Sequence, residues 1–282
     1  MAIIKVDKLN HIYNPGTTLE SYALKDVSFE INKGEFVGII GRTGCGKSTL
    51  IQHLNGLLKA TSGDIQYKDI SIYSKGYNML LLRMHVGLVF QYPEYQLFEE
   101  TVLSDVAFGP KNTGLSEEEA ILRAKEALEL TGMDENYYDK SPFELSGGEK
   151  RRVAIAGVLA MHPRILILDE PTAGLDPEGR NEILGTISEL HKKLGITVVL
   201  VSHSMEDVAT YAERLIVLNE GQVVYNDTPR QVFKNYEELE KIGLAAPQMV
   251  YVANALRKEG YDIPEDVITV EEVAAALKPQ LR

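Results

Sequence analysis

Gly41-Arg42-Thr43-Gly44-Cys45-Gly46-Lys47-Ser48 decides how this chain is read. The stretch matches G-x-x-x-x-G-K-[ST]. It stands between an apolar run at 35–40, predicted as a strand, and residues 47–57, predicted as a helix. The glycines let backbone N–H groups turn inward around phosphate oxygens. The helix that begins near Lys47 points its positive end at them. Lys47 is placed to reach β- and γ-phosphates, and Ser48 to hold Mg2+. Gly41, Thr43, Gly44, Cys45, Gly46, Lys47, Ser48 and Thr49 are therefore the candidate triphosphate-binding residues, with Cys45 a filler position in the loop.

A second element suits this loop. Ile165-Leu166-Ile167-Leu168-Asp169-Glu170 is an apolar strand ending in two carboxylates. Asp169 is positioned to hold Mg2+ through water, and Glu170 is the candidate general base for an attacking water. A strand ending in an acid is common, so the pair gains its meaning from the loop upstream.

The rest of the pattern alternates strand and helix. Residues 24–31 alternate apolar and polar, 86–90 and 197–202 read as buried strands, and 178–193 as a helix. Residues 101–157 are mostly helical. Ser116 opens a capping box with Glu119, after which Ile121, Ala124 and Leu128 share one face. This predicts an α/β fold, a P-loop NTPase core of parallel strands over residues 1–235 carrying a helical subdomain at about 101–157. The pattern changes at 236–282. Pro247 opens a helix that runs to Lys258 and stops at Gly260, and Thr269-Val270-Glu271-Glu272 caps a last short one.

Composition narrows the class. Charged residues make up 25 % and hydrophobic ones 44 %, an ordinary globular balance with no apolar run long enough to span a bilayer. The N-terminus lacks the apolar stretch of a signal peptide. A single Cys leaves no disulfide framework and suits a reducing compartment. The net charge of −12 argues against nucleic acid as the main partner.

Leu145-Ser146-Gly147-Gly148-Glu149 separates this chain from other P-loop NTPases. It precedes Asp169 by 24 residues and opens an apolar helix, so small residues at a helix N-terminus offer a second anion site. The motif resembles the signature of ATP-binding-cassette proteins. That resemblance implies an ABC-type nucleotide-binding domain, with Leu145, Ser146, Gly147, Gly148 and Glu149 serving the ATP held by a partner. Glu149 stands where many members have Gln, which adds charge near that ATP. By the same resemblance Gln91 is the Q-loop glutamine sensing Mg2+ and water, so Ser48, Gln91 and Asp169 are the metal set. Ala173-Gly174-Leu175-Asp176 is the D-loop, with Asp176 reaching across a dimer. His203 is the switch histidine at the γ-phosphate, and Tyr13 stacks on adenine, with Tyr22 the competing aromatic.

Finer resemblance comes from Tyr92-Pro93-Glu94-Tyr95-Gln96-Leu97-Phe98-Glu99-Glu100-Thr101 and from the tail Leu256-Arg257-Lys258-Glu259-Gly260-Tyr261. These are similar to ATPase subunits of energy-coupling factor (ECF) importers, of the second, A-prime type. The implied role is ATP hydrolysis driving uptake of vitamins or metal ions. The implied partners are a paralogous ATPase subunit (or a second copy), a membrane T subunit and exchangeable S subunits. The chain would then sit peripherally on the cytoplasmic face of the membrane, with 236–282 as a helical dimerisation extension. Glu94, Glu99, Glu100 and Asp105 among Tyr92, Tyr95, Leu97 and Phe98 would form an acidic, aromatic docking surface for basic helices. The rival reading is a soluble ABC-type ATPase not coupled to transport. The chain lacks the coiled-coil insertions, second cassette and zinc cysteines expected of a DNA or ribosome cassette. A third reading, a sensing dimer with little turnover, is disfavoured by intact Glu170 and His203.

Overall fold

The computed structural model describes residues 1–281. Strands β1 (Ala2–Tyr13) and β2 (Ser21–Asn32) open the chain, followed by β3 (Phe36–Gly41) and helix α1 (Lys47–Leu54). Next come β4 (Ser62–Tyr67), β5 (Ile70–Ser71), α2 (Met79–His85) and β6 (Val86–Val89). Three helices follow, α3 (Val102–Asn112), α4 (Glu117–Leu130) and α5 (Gly147–Leu159). The chain then returns through β7 (Ile165–Asp169), α6 (Pro177–Leu194), β8 (Thr197–Val201), α7 (Met205–Tyr211), β9 (Arg214–Asn219) and β10 (Gln222–Asp227). It ends in α8 (Pro229–Lys234), α9 (Tyr236–Lys241), α10 (Gln248–Lys258) and α11 (Val270–Leu277).

Two sheets result. The larger has the order β10-β9-β3-β8-β7-β6, parallel from β9 to β6 and antiparallel only at β10. Strands β3, β6, β7 and β8 are buried at every residue. That is why they are continuous apolar runs: helices and the second sheet cover both faces, so no polar side is needed. The smaller sheet is antiparallel, β2-β1-β4-β5. Its long strands alternate instead, and Val6, Leu9, Leu24, Val27 and Ile31 turn inward onto β3 and α1. Burying side chains from both sheets in one cluster fixes the antiparallel sheet beside the phosphate loop.

The expected helical stretch is present as α3, α4 and α5. Capping boxes start α4 at Ser116/Glu119 and α5 at Ser146/Glu149. The buried face of α4 is Ala120, Ala124, Ala127 and Leu128, with Ile121 only half-buried at its margin. The helix expected over 47–57 ends at Leu54, where Asn55 donates its side-chain amide to Val86 O and Gly56 turns left-handed at φ 71°.

The C-terminal segment divides by packing. Leu239, Leu244, Ala246, Val250 and Ile268 join the main core, whereas Ala253, Ile263, Val267 and Val273 form a small cluster of their own. Arg230 on α8 binds this tail through Asp266 O and the Glu272 carboxylate.

Candidate active site

The functional residues gather along the C-terminal edge of the parallel strands, where α/β sheets place their ligand crevices. The phosphate loop leaves β3, Asp169 closes β7, His203 follows β8 and Gln91 follows β6. They are adjacent because β3, β8, β7 and β6 are consecutive in the sheet, although 122 residues separate Lys47 from Asp169. A cavity of about 610 Å3 opens there. Its walls are Thr43, Gly44, Gly46, Lys47, Ser48 and Thr49 from the loop, Gln91, Glu170 and His203 opposite, and Tyr13, Ser21, Tyr22 and Ala23 from the antiparallel sheet.

The loop's shape requires its glycines. A Cβ at Gly46 would lie 2.4 Å from Ala23 O, and one at Gly41 would lie 2.4 Å from Leu218 O. Both strands run behind the loop, so only a hydrogen fits. Lys47 is buried and donates to Gly41 O at 2.7 Å and Arg42 O at 3.1 Å, which holds its ammonium inside the loop. Cys45 departs from the expectation. Its side chain is buried in the core beneath the loop rather than lining the cavity, and its N–H donates to Arg42 O. Burial raises the thiol pKa, despite the opposing field of Lys47, so it is an inert packing group. Gly41 also lies behind the cavity wall.

Glu170 is held from two sides. Gln91 Nε2 donates to its Oε2 at 2.9 Å, and His203 Nε2 lies 2.6 Å from its Oε1. Its backbone adopts left-handed φ of 50°, a strained conformation for a non-glycine residue, while its N–H still donates to Val201 O at 3.0 Å. The bend turns the carboxylate off the end of β7 and into the cavity. Asp169 stays below. Burial raises its pKa, countered by a hydrogen bond from the Ser48 hydroxyl and reinforced by the charge of Glu170. A buried carboxylate and a hydroxyl in contact are hard oxygen donors suited to Mg2+. No group of three or more His, Cys, Asp or Glu among the described residues could hold a metal unaided.

The signature residues lie elsewhere. Ser146 and Gly147 are exposed, and nothing within 4 Å faces a Cβ built at Gly147 or Gly148. The charge of Glu149 is consumed locally. Its carboxylate accepts from Ser146 N at 2.8 Å, and the hydrogen bonds of Ser146, with help from Tyr137, lower its pKa. Asp176 N-caps α6 through Gly179 N at 2.9 Å.

Arg151 was not singled out by motif reading. It is fully buried, binds Glu94 at 2.8 and 3.3 Å, and donates to the carbonyls of Pro171 and Ala173. One side chain thus ties α5 to the loops that follow Gln91 and Glu170. The available signal was a cation at an inward position of an apolar helix. Arg180 plays a similar part, joining α6 to Asp207 and Ser204 at the start of α7, just after His203.

The acidic, aromatic surface comes out differently from the expectation. Glu94 is spent on Arg151, and Asp105 accepts from the N–H groups of Phe98 and Glu99. Leu97 is buried, but Tyr95 is 85 % and Phe98 57 % exposed, the latter edge-on to Phe108 at 4.8 Å. The surface is therefore mainly aromatic, with Glu99 and Glu100 its remaining free acids.

This fold and cavity define an ATP-binding-cassette ATPase, and the ABC transporter family model matches residues 24–173. The chain is 55 % identical over 280 residues to the energy-coupling factor transporter ATP-binding protein EcfA2 of Clostridium perfringens, covering 99 % of this chain and 98 % of that one. It is 58 % identical to the protein of the same name from Clostridioides difficile, covering 96 % and 95 %. Among solved structures it resembles cbiO1 from Clostridium perfringens, part of the ABC transporter complex cbiONQ, at TM-score 0.76 and 41 % identity over 91 % of this chain and 99 % of that chain. It also resembles a cassette captured as a post-hydrolysis dimer bound to ADP and Pi, at TM-score 0.71 and 32 % identity over 80 % and 98 %. The chain belongs to the ATP-binding subunits of energy-coupling factor transporters. No helix of the described residues is long and apolar enough to cross a membrane.

Proposed function

We propose that this chain hydrolyses ATP for an importer of vitamins or metal ions, working with a second ATPase subunit, a membrane T subunit and exchangeable S subunits at the cytoplasmic face of the membrane. One observation carries the reading. The cavity gathers the phosphate loop, Glu170 and His203, while Ser146–Gly148 stand on the outside facing open space. A helix N-terminus with free N–H groups is an anion site in want of an anion. A partner's triphosphate supplies one, so two chains make two complete sites.

Within one site the roles follow from position. The loop N–H groups and Lys47 bind the phosphates, and Tyr13 offers its ring to adenine. Ser48 and Asp169, with Gln91 beside them, would hold Mg2+. That ion, when bound, neutralises charge on the β- and γ-phosphates. Glu170 is the group to take the proton of the attacking water, and Gln91 and His203 aim its carboxylate. His203, on the cavity wall against Glu170, would meet the γ-phosphate. Asp176 stands exposed at the head of α6, available to a second subunit, and 236–282 would stabilise the pair.

The exposed aromatics beyond Gln91 suit the T subunit's amphipathic helices, with Glu99 and Glu100 setting register against basic residues. Co-purification from native membranes tests the reading. Tyr95→Ala with Phe98→Ala should lose the membrane subunit, Glu99→Lys with Glu100→Lys should weaken it, and both should still bind ATP. Undiminished co-purification of both variants sinks the docking assignment.

A further inference from the structure

Beneath the base side of the cavity lies a buried pair of histidines that the hydrolytic roles leave unused. His11 is on β1, two residues before Tyr13, and His53 is on α1, four residues after Thr49. They are 8 % and 0 % exposed. His53 Nδ1 lies 2.7 Å from Thr49 O, and its Nε2 lies 3.2 Å from His11 Nδ1. The ring of Tyr13 stands edge-on to that of His11, with centroids 4.5 Å apart, and its hydroxyl lies 3.1 Å from Thr49 Oγ1. The four side chains and one carbonyl close a circuit from the phosphate-loop helix to the strand and back.

The chemistry assigns the protons. A carbonyl only accepts, so His53 Nδ1 donates to Thr49 O. Burial lowers the pKa of His53, keeping the ring neutral and its Nε2 a lone pair. His11 Nδ1 must then donate to it, and His11 Nε2 has no partner among the described residues. The β1–β2 register shifts on both sides of His11, an irregularity of the kind that re-aims side chains next to active sites.

We infer that His11 and His53 are positioning residues for the nucleotide base: they lock Tyr13 to the phosphate-loop helix, so that base platform and phosphate cradle form one preorganised template. This rests on the reading of Tyr13 as the adenine contact. Fixing an aromatic rotamer before binding spares its ordering cost on binding. The benefit falls on the base and not on the phosphates.

The test uses the full-length chain in its purified transporter complex, with ATP and with inorganic tripolyphosphate, which has the phosphates but no base. His53→Leu removes the link. His11→Asn keeps a donor near the Nδ1 position but removes the ring from Tyr13, and serves if His53→Leu does not fold. Each should raise the KM for ATP about 2- to 10-fold, leave kcat nearly unchanged, and leave inhibition by tripolyphosphate as it was. An unchanged KM overturns the inference. So does an equal loss for ATP and tripolyphosphate, which would make the pair a support of the loop alone. Tyr13→Ala, measured alongside, separates the two levels. If it leaves KM unchanged, the adenine contact itself is wrong. If it raises KM while both histidine variants do not, only the positioning role fails.

Discussion

At the scale of single residues, the structure turns motif positions into groups with defined neighbours. Glu170 is the clearest case, since Gln91 and His203 both touch its carboxylate. Glu170→Gln keeps the shape and removes the basicity. Hydrolysis should fall by about 10²- to 10⁴-fold while ATP stays bound in a closed dimer, measured by phosphate release and by gel filtration with ATP. Near-normal turnover would refute Glu170 as the base. Gly46 makes a steric prediction. With φ at 106° and Ala23 O at 2.4 Å from an added Cβ, Gly46→Ala must move the loop or β2. The strain, about 1–3 kcal/mol, should lower the thermal midpoint and abolish nucleotide binding together. A variant that still binds ATP normally would contradict the close approach.

At the scale of elements, two devices organise α5. Its capping box shows that Glu149 is an N3 residue before it is anything else, and Gln serves that position as well. Glu149→Gln keeps the capping geometry and loses only the charge at the helix N-terminus, so it should lower unfolding free energy by less than about 1 kcal/mol, checked by denaturant titration. Arg151 is the opposite case. Its loss leaves Glu94 and two loop carbonyls without their donor in a mostly buried place. Arg151→Ala should cost about 3–5 kcal/mol, and the same titration tests it. A loss under 1 kcal/mol would mean that the loops carry themselves. The same pairing explains why the acidic surface shrank. Glu94 and Asp105 look like free charges in a linear reading, but one faces a buried cation and the other two backbone donors.

At the scale of the whole molecule, one arginine braces the two sheets in addition to their shared core. Arg214 on β9 binds Glu35 through Nε and Nη2 and also donates to Glu30 O of β2 at 2.7 Å. Burial opposes ionisation of Glu35, but hydrogen bonds from Arg214 and Asn32 N–H outweigh it and hold its pKa below the ordinary 4.5. A lowered carboxylate pKa means that the unfolded state binds the proton more readily. The contribution is thus complete above about pH 4.5 and is lost as pH falls through the folded value. Glu35→Gln should flatten the acid limb of a stability-against-pH curve and leave the slope between pH 6 and 8 unaltered. An unchanged acid limb would show the pair to be idle.

The chain's sequence by itself determined the class and most of the fold. The phosphate loop, the Leu145–Glu149 turn, the apolar strand runs and the capping boxes are local patterns, each set by the backbone needs of a few consecutive residues. The candidate site was legible for the same reason: the loop of Lys47 and Ser48 leaves a strand, Asp169 and Glu170 stand at the end of one and His203 follows one, while the strand order β3-β8-β7-β6 brings them together. What only the tertiary structure decided is partnership across long separations. Cys45 faces the core, Arg151 is buried with Glu94, Arg180 braces the segment after His203, and His11 meets His53. Apart from the cation at an inward position of α5, none of these carries a local signature, because burial and pairing depend on which distant elements pack together. A linear pattern records how each segment meets water, and contact is settled only when the segments meet each other.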